Sequence, residues 1–292
     1  MAEITAALVK ELRERTGAGM MECKRALQET TGDIDAAVEL MRKAGQAKAD
    51  KKASRVAAEG LIVIAEAGQA IAVAEVNCET DFVTKNDDFR AFASAVAEVA
   101  LAAAPADLDA LLETSMADGR SVEQNRRDCI AKIGENINVR RFARLASEKG
   151  VLNYYLHGTR IGVVVELEGG DAELARDVAM HVAASRPLCV SAADVPADLI
   201  AKEKDIYAAQ AATSGKPANI IEKMVEGRVR KYLEEVTLLG QPFVKDPEQS
   251  VGNLLKAHKA TVLRFVRFEL GEGIEKKVDN FAAEVMAQVQ GN

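Results

Sequence analysis

One segment of this chain occurs twice, and that duplication limits the folds open to it more than any other feature. In the first copy Gly60-Leu61-Ile62-Val63-Ile64 leads to Gly68 and then to Ile71-Ala72-Val73-Ala74-Glu75-Val76. In the second, Gly150-Val151-Leu152 leads to Gly158 and then to Ile161-Gly162-Val163-Val164-Val165-Glu166. Both copies place their glycines eight residues apart and an isoleucine three residues after the second glycine. β-branched runs on either side of a glycine turn predict a β-hairpin in each copy. Alanine-rich helices follow, expected over Phe89–Ala103 and Ala172–Ala184. The copies close alike: Val139-Arg140-Arg141-Phe142-Ala143-Arg144-Leu145 resembles Val262-Leu263-Arg264-Phe265-Val266-Arg267-Phe268, and short helices beginning at Ser121-Val122 and Ser250-Val251 precede these strands. The unit is β-β-α-α-β, an antiparallel sheet with helices on one face, so the fold class is α+β. The strand arginines fit either a basic partner surface or a solvent-facing strand side, and the second is the commoner case.

The copies differ in two places. From Ile71 to Pro105 is 34 residues, against 26 from Ile161 to Pro187, and the extra residues fall mostly at Asn77-Cys78-Glu79-Thr80-Asp81-Phe82-Val83-Thr84-Lys85-Asn86. The second copy carries its own insertion near Ala192–Gln241, where Leu199, Ile206, Ala209, Ile220, Met224, Val229 and Leu233 predict a helical hairpin turning at Ser214-Gly215-Lys216-Pro217. Such a hairpin could pair with another copy, dock on another protein, or serve as a stabilising flap.

Ahead of the repeat, three short helices are expected. Ile4, Leu8, Val9 and Leu12 mark the first, and Thr16-Gly17-Ala18-Gly19 breaks it. Met20, Met21, Cys23 and Leu27 mark the second, and Asp33 is a fitting N-cap for a third carrying Ile34, Ala37, Val38 and Met41. Lys43–Arg55 reads as an exposed helix or linker. Beyond Gly271-Glu272-Gly273, Val278, Phe281, Ala282 and Val285 form the stripe of a C-terminal helix. The expected divisions are 1–55, a three-helix head and linker; 56–147, a first core subdomain; 148–190 with 242–270, a second core subdomain; 191–241, the hairpin; and 271–292, the C-terminal module.

Composition removes several function classes. The 292 residues carry 38 Lys and Arg against 45 Asp and Glu, a net charge of −7, which disfavours non-specific nucleic-acid binding. No apolar run approaches a membrane span, and the N-terminal stretch reads as an amphipathic helix and not as a signal peptide. Cys23, Cys78, Cys129 and Cys189 lie far apart with no C-x-x-C, as reduced thiols of a cytoplasmic protein do.

Chemistry is equally scarce. There is no P-loop, no complete dinucleotide fingerprint and no nucleophile elbow. His157, His181 and His258 lack metal-ligand spacing, so neither a metal nor a cofactor is expected. His181 reads as a packed residue and His258 as a surface one, while Asp87-Asp88 reads as a helix N-cap and not as an acid–base pair. What remains is Thr80-Asp81-Phe82-Val83. Its phenylalanine either plugs the loop onto the core or stands out as an aromatic wedge beside a carboxylate. Two facts raise the second reading: the loop is extra to its own repeat, and the chain has only eight Phe, four Tyr and no Trp. His157 sits in a hairpin turn where the first copy has Ala67.

Several segments together resemble the bacterial-type translation elongation factor Ts family. They are Leu12-Arg13-Glu14-Arg15-Thr16-Gly17-Ala18-Gly19-Met20-Met21, Thr80-Asp81-Phe82-Val83, Ile133-Gly134-Glu135-Asn136-Ile137 and His157-Gly158 with Arg160-Ile161-Gly162. Glu222-Lys223-Met224-Val225-Glu226-Gly227-Arg228 and Gly271-Glu272-Gly273 follow in the same order, and the likeness covers essentially the whole chain.

The resemblance implies a non-catalytic guanine-nucleotide exchange factor whose partner is elongation factor Tu, a P-loop GTPase that carries aminoacyl-tRNA. It implies a head like a ubiquitin-associated domain, a two-subdomain core, a coiled-coil hairpin and a C-terminal helical module. Thr80, Asp81, Phe82 and Val83 are then expected at the partner's Mg²⁺ and nucleotide region, supported by Ile133, Gly134 and His157. Arg13, Thr16, Gly17, Ala18, Gly19, Met20 and Met21 are expected to carry the head contact, and the hairpin a dimeric or heterotetrameric assembly. No direct nucleic-acid or membrane contact is implied. An RNA-binding protein using Arg140–Arg144 and Lys48–Arg55, and a small-molecule enzyme, are the competing classes.

Overall fold

The computed structural model describes residues 4–213 and 217–275. Three helices open the chain: α1 (Ala6–Thr16), α2 (Met20–Glu29) and α3 (Ile34–Lys52). The Thr5 hydroxyl caps α1 at the Leu8 amide, and Gly17 ends it at φ 65°, a left-handed position that glycine takes at little cost. Asp33 caps α3 by accepting from the Ala36 amide. Val9, Leu12, Cys23, Ala26, Leu27 and Ala37 bury a small core between the three helices. The Lys43–Arg55 segment is helical as far as Lys52, and its Ala49 is buried in the first subdomain's core.

The first copy of the repeat contains β1 (Glu59–Ala67), β2 (Ala70–Cys78), α4 (Asp87–Ala103), α5 (Leu108–Glu113), α6 (Val122–Ile133) and β3 (Ile137–Ala146). The second contains β4 (Val151–His157), β5 (Ile161–Glu168), α7 (Ala172–Ser185), α8 (Ala197–Ala212), α9 (Ala218–Val236), β6 (Pro242–Phe243), β7 (Asp246–Ser250), α10 (Val251–Ala257) and β8 (Thr261–Glu269). Each copy forms a three-stranded antiparallel sheet, in orders β1-β2-β3 and β4-β5-β8, while β6 and β7 pair separately. Helices α4 and α6 cover one sheet around Phe89, Leu111, Ile130 and Ile137. Helices α7 and α10 cover the other around Leu167, Val178, Val182 and Leu255. Asp87 and Asp88 occupy the first turn of α4, but its cap is Asn86, whose side chain accepts from the Asp88 and Phe89 amides.

The faces of the two sheets turned away from their helices pack against each other through Ile62, Ile71, Val73, Leu145, Val164, Phe268 and Leu270. This sheet-on-sheet core makes four layers, helix–sheet–sheet–helix, and joins the copies into one body. Gly162 permits the approach: a Cβ there would lie 2.6 Å from Ile62 Cγ2 and 3.3 Å from Val73 Cγ2. Gly162→Ala is therefore expected to cost about 1–3 kcal/mol of stability through overpacking, read as a lower denaturant midpoint at unchanged slope.

Arg144 and Arg264 face solvent, as the commoner alternative has it, whereas Arg140 and Arg141 fit neither alternative. Glu75 on β2 is fully buried and accepts from Arg140 at 3.0 Å, Arg141 at 2.6 Å and the Gly271 amide at 2.8 Å. Burial alone would raise the Glu75 pKa, but these donors outweigh it and hold the carboxyl below its ordinary value. In the second copy Glu166 accepts from Arg264 at 2.6 Å. The register shifts by one residue directly after Glu75 and again directly after Glu166. Each copy thus repeats a glutamate–arginine pair beside a bulge, and these arginines are structural cations.

The inserted hairpin is α8 against α9, with Arg228 donating to Gln210 at 2.7 Å across the pair. Of its expected turn, residues 214–216 lie outside the described residues. Only Ala211 and Val225 are fully buried in the two helices, while Ile206 and Ile220 remain 40% and 43% exposed. The expected C-terminal helix, from residue 276 onward, also lies outside the described residues.

Candidate functional site

The extra loop of the first copy is built as a stiff pedestal. The Glu135 carboxylate receives the Thr80 hydroxyl at 2.6 Å and the Thr80 amide at 2.9 Å, a grip by both carboxylate oxygens. Glu79 accepts from the Asn136 amide at 2.6 Å, and the Asn136 side chain donates to the Arg55 carbonyl at 2.7 Å. The Cys78 thiol donates to the Thr80 carbonyl at 3.1 Å. Burial first, and then the nearby carboxylates of Glu135, Glu59, Asp81 and Glu79, push that thiol up to about 12, so it stays neutral and inert.

Beyond this base the chain makes one 3₁₀ turn over Val83–Lys85. The Asp81 carbonyl accepts from the Thr84 hydroxyl at 2.6 Å, and the Phe82 carbonyl from the Lys85 amide at 3.2 Å. Val83 is buried in the subdomain core, whereas Phe82 is 77% exposed. Val83 is therefore the plug, and Phe82 is a large apolar side chain held in solvent on fixed backbone beside the exposed Asp81. Neighbours packed against the loop would normally shelter such a ring; among the described residues none does so.

Ile133 and Gly134 end α6 immediately before Glu135. Ile133 is half-buried against the core, and Gly134 takes φ 89° as the helix C-cap, which lets the chain reverse toward the loop. Its carbonyl accepts from Lys52 Nζ. His157 lies exposed at the β4–β5 tip, its Nδ1 3.0 Å from the Tyr155 hydroxyl. That tip joins the first sheet at the end where the loop begins: Thr159 accepts from the Ile62 amide at 2.8 Å, and Arg160 pairs with Glu59 at 3.1 Å.

The head turn reaches the same region by another route. Gly17 lies over Lys132 of α6, where a Cβ would meet Cε at 2.8 Å. Lys132 in turn pairs with Asp88 at 2.7 Å, in the first turn of α4, into which the Phe82 loop runs. Thr16 donates to the Leu12 carbonyl at 2.7 Å and Gly17 to the Arg13 carbonyl at 2.7 Å, which fixes the turn. Ala18 packs on the head core and Gly19 opens α2, leaving Met20 and Met21 61% and 69% exposed. Arg13 is exposed on the last turn of α1.

Sequence reasoning missed Glu135, Lys132 and Asp88, the residues that position the others. Glu135 stands inside the Ile133–Ile137 motif, so that signal was available. Lys132 and Asp88 show theirs only once the head and core are folded together.

Away from the loop, the buried histidine is held by structural partners. His181 is fully buried; the Val244 amide donates to its Nδ1 at 3.1 Å, so its Nε2 carries the proton and donates to Gln241 at 3.0 Å. Burial pushes its pKa down against the opposing Gln241 bond, keeping it neutral. Among the described residues no group of three or more His, Cys, Asp or Glu is placed to hold a metal ion, and no helix is long and apolar enough to cross a membrane.

The sequence pattern of the family described as elongation factor TS matches residues 79–272, well over half of the chain. Curated proteins called elongation factor Ts are similar along nearly the full length. That of Methylococcus capsulatus is 65% identical over 291 residues, covering 99% of each chain. That of Thioalkalivibrio sulfidiphilus is also 65% identical over 291 residues. One from Legionella pneumophila is 56% identical over 292 residues.

Proposed function

The chain belongs to the elongation factor Ts family, a family of translation elongation factors, and from this premise we propose that it is a guanine-nucleotide exchange factor for elongation factor Tu. The observation that carries the reading is Phe82, 77% exposed on a backbone pinned by Glu135 and plugged by Val83. A wedge must be apolar to enter a partner, exposed to reach it, and stiff enough to move the partner instead of itself.

On this reading Phe82, with Asp81 beside it, enters the GTPase between two helices near its bound Mg²⁺. Octahedral Mg²⁺ ligation tolerates little displacement, so a shift of about an ångström weakens the nucleotide by several kcal/mol. Thr80 and Val83 hold the wedge, Ile133 and Gly134 shape its base, and His157 adds a contact from the second subdomain. Arg13 and the Thr16–Met21 turn give a second contact on the same GTPase domain, with Met20 and Met21 as apolar anchors. The chain itself performs no covalent chemistry.

The remaining parts take roles consistent with this one. The three-helix head is a ubiquitin-associated-like domain, the two repeat copies are the core subdomains within 56–147 and within 148–190 and 242–270, and 271–292 is a helical module on the GTPase. The exposed Ile206 and Ile220 suit a hairpin over 191–241 that pairs as a coiled coil in a dimeric or heterotetrameric complex. The setting is the cytoplasm. An RNA-binding reading loses its best residues, because Arg140 and Arg141 are committed to Glu75.

Reciprocity supplies the test. If this chain weakens GDP on the GTPase, GDP must weaken this chain's binding by the same factor. The chain should co-elute with nucleotide-free elongation factor Tu in gel filtration, and excess GDP should dissociate the pair. A complex indifferent to GDP would overturn the proposal.

A further inference from the structure

The differences between the two copies point to a second site, one that shares only His157 with the proposed GTPase contact. Counting from the shared glycines Gly68 and Gly158, Ala65 and Ala67 of the first copy become Tyr155 and His157 in the second. The C-caps of α4 and α7 are Ala104 and Arg186, both left-handed at φ 48° and 51°. Aligning Arg144 with Arg267 makes Ala146 of the first copy equivalent to Glu269. Four alanines have thus become two aromatic rings, a guanidinium and a carboxylate, and all four new side chains line one cavity of about 390 Å³ together with Arg267. Met180, Ala183 and Ala184 of α7 supply its apolar wall.

The charges in that cavity are unbalanced. Arg186 and Arg267 share the single carboxylate of Glu269, Arg267 through Nη2 at 2.8 Å. The next carboxylate, Glu272, stands 3.9 Å from Arg267 Nη1 and is already bound to Arg141 at 3.2 Å. The Arg267 side chain is only 9% exposed, and its Nε has no hydrogen-bond partner among the described residues. A buried unpaired N–H on a cation is among the costlier features a fold can carry. Its burial, and then the neighbouring Arg186, lower the Arg267 pKa. Tyr155 and His157 add a donor whichever tautomer is present. If the phenol donates to Nδ1, the ring keeps an N–H at Nε2; if Nδ1 donates, the phenol keeps its O–H. The cavity holds surplus donors and surplus positive charge.

We propose that this cavity, between the β4–β5 tip, the end of α7 and β8, binds a small oxyanion, the phosphate or carboxylate group of a small molecule. The anion balances the second guanidinium, accepts from the donor that Tyr155 and His157 leave free, and rests against the apolar wall of α7. The site is a property of the chain alone and does not depend on nucleotide exchange.

The test uses the full-length chain without any GTPase. Inorganic phosphate and acetate are titrated separately at constant ionic strength, and the Arg267 Nε–H and His157 ring resonances are followed by NMR. At least one anion should move both resonances along a saturating curve, and the one saturating at lower concentration identifies the class. Arg186→Gln, a change at a side chain 57% exposed, should weaken that binding by about tenfold without altering the fold. Linear, non-saturating shifts with both anions would overturn the proposal, as would saturation that Arg186→Gln leaves unchanged. Neither result bears on the GDP-antagonism test above.

Discussion

Phe82→Ala is expected to leave the protein folded and to remove most of its effect on GDP release. The stability side follows from exposure. A side chain 77% in solvent contributes little to the core, and truncation at such positions usually changes stability by no more than about 0.5 kcal/mol. The functional side follows from interface energetics, in which a buried aromatic anchor carries about 2 kcal/mol or more. That corresponds to at least a tenfold loss of stimulated release, since about 1.4 kcal/mol is a factor of ten. Stopped-flow release of a fluorescent GDP from elongation factor Tu, with a matched thermal melt, measures both sides. His157→Ala should give a smaller loss. A mutant with normal stimulation would remove the wedge, and a larger loss at His157 would move the main lever to the second subdomain.

Glu75→Ala is expected to have the opposite signature, a large loss of stability at a position remote in role from the wedge. The substitution leaves the Arg140 and Arg141 guanidiniums without their buried counter-charge and the Gly271 amide without its acceptor. Breaking a buried pair in this way costs about 3–5 kcal/mol. The same residue sets an acid limit. Its folded pKa lies below the unfolded carboxyl value, so its stabilisation is complete above the unfolded value and is lost as pH falls through the folded one. Denaturant melts from neutral to acid pH should show wild type losing stability across that window. The Glu75→Ala protein should be weaker at neutral pH and should lose less on acidification. Equal stability of the two proteins at neutral pH would contradict the structural role given to this cluster.

The repeat was legible because β-hairpins, glycine turns and alanine-rich helices are written locally. The sheets, the covering helices and the inserted hairpin all arise from periodicity and turn residues that a reader of the chain can count. The sheet-on-sheet core was not legible, because nothing local distinguishes Ile62 and Val73 from residues facing a helix, and Gly162 looks like an ordinary strand glycine until its neighbour is in place. Arg140 and Arg141 misled for the same reason. Alternation suggests solvent, whereas Glu75, whose glutamate type gives no hint of full burial, draws them inward. At the loop, composition and the comparison of copies singled out Phe82, but only the structure separates the plug, Val83, from the exposed ring. Asn86 in place of Asp87 or Asp88 as the α4 cap is a shift of one or two residues of the kind helix starts invite, where several good caps stand in a row.

The most direct measurement is fluorescent-GDP release from elongation factor Tu with and without the wild-type chain, at fixed Mg²⁺ and with excess unlabelled GDP as trap. Exchange-factor action predicts that the release rate rises with the chain's concentration and then saturates, while the chain alone leaves the nucleotide chemically unchanged. A release rate that does not respond to the chain at any concentration would contradict it.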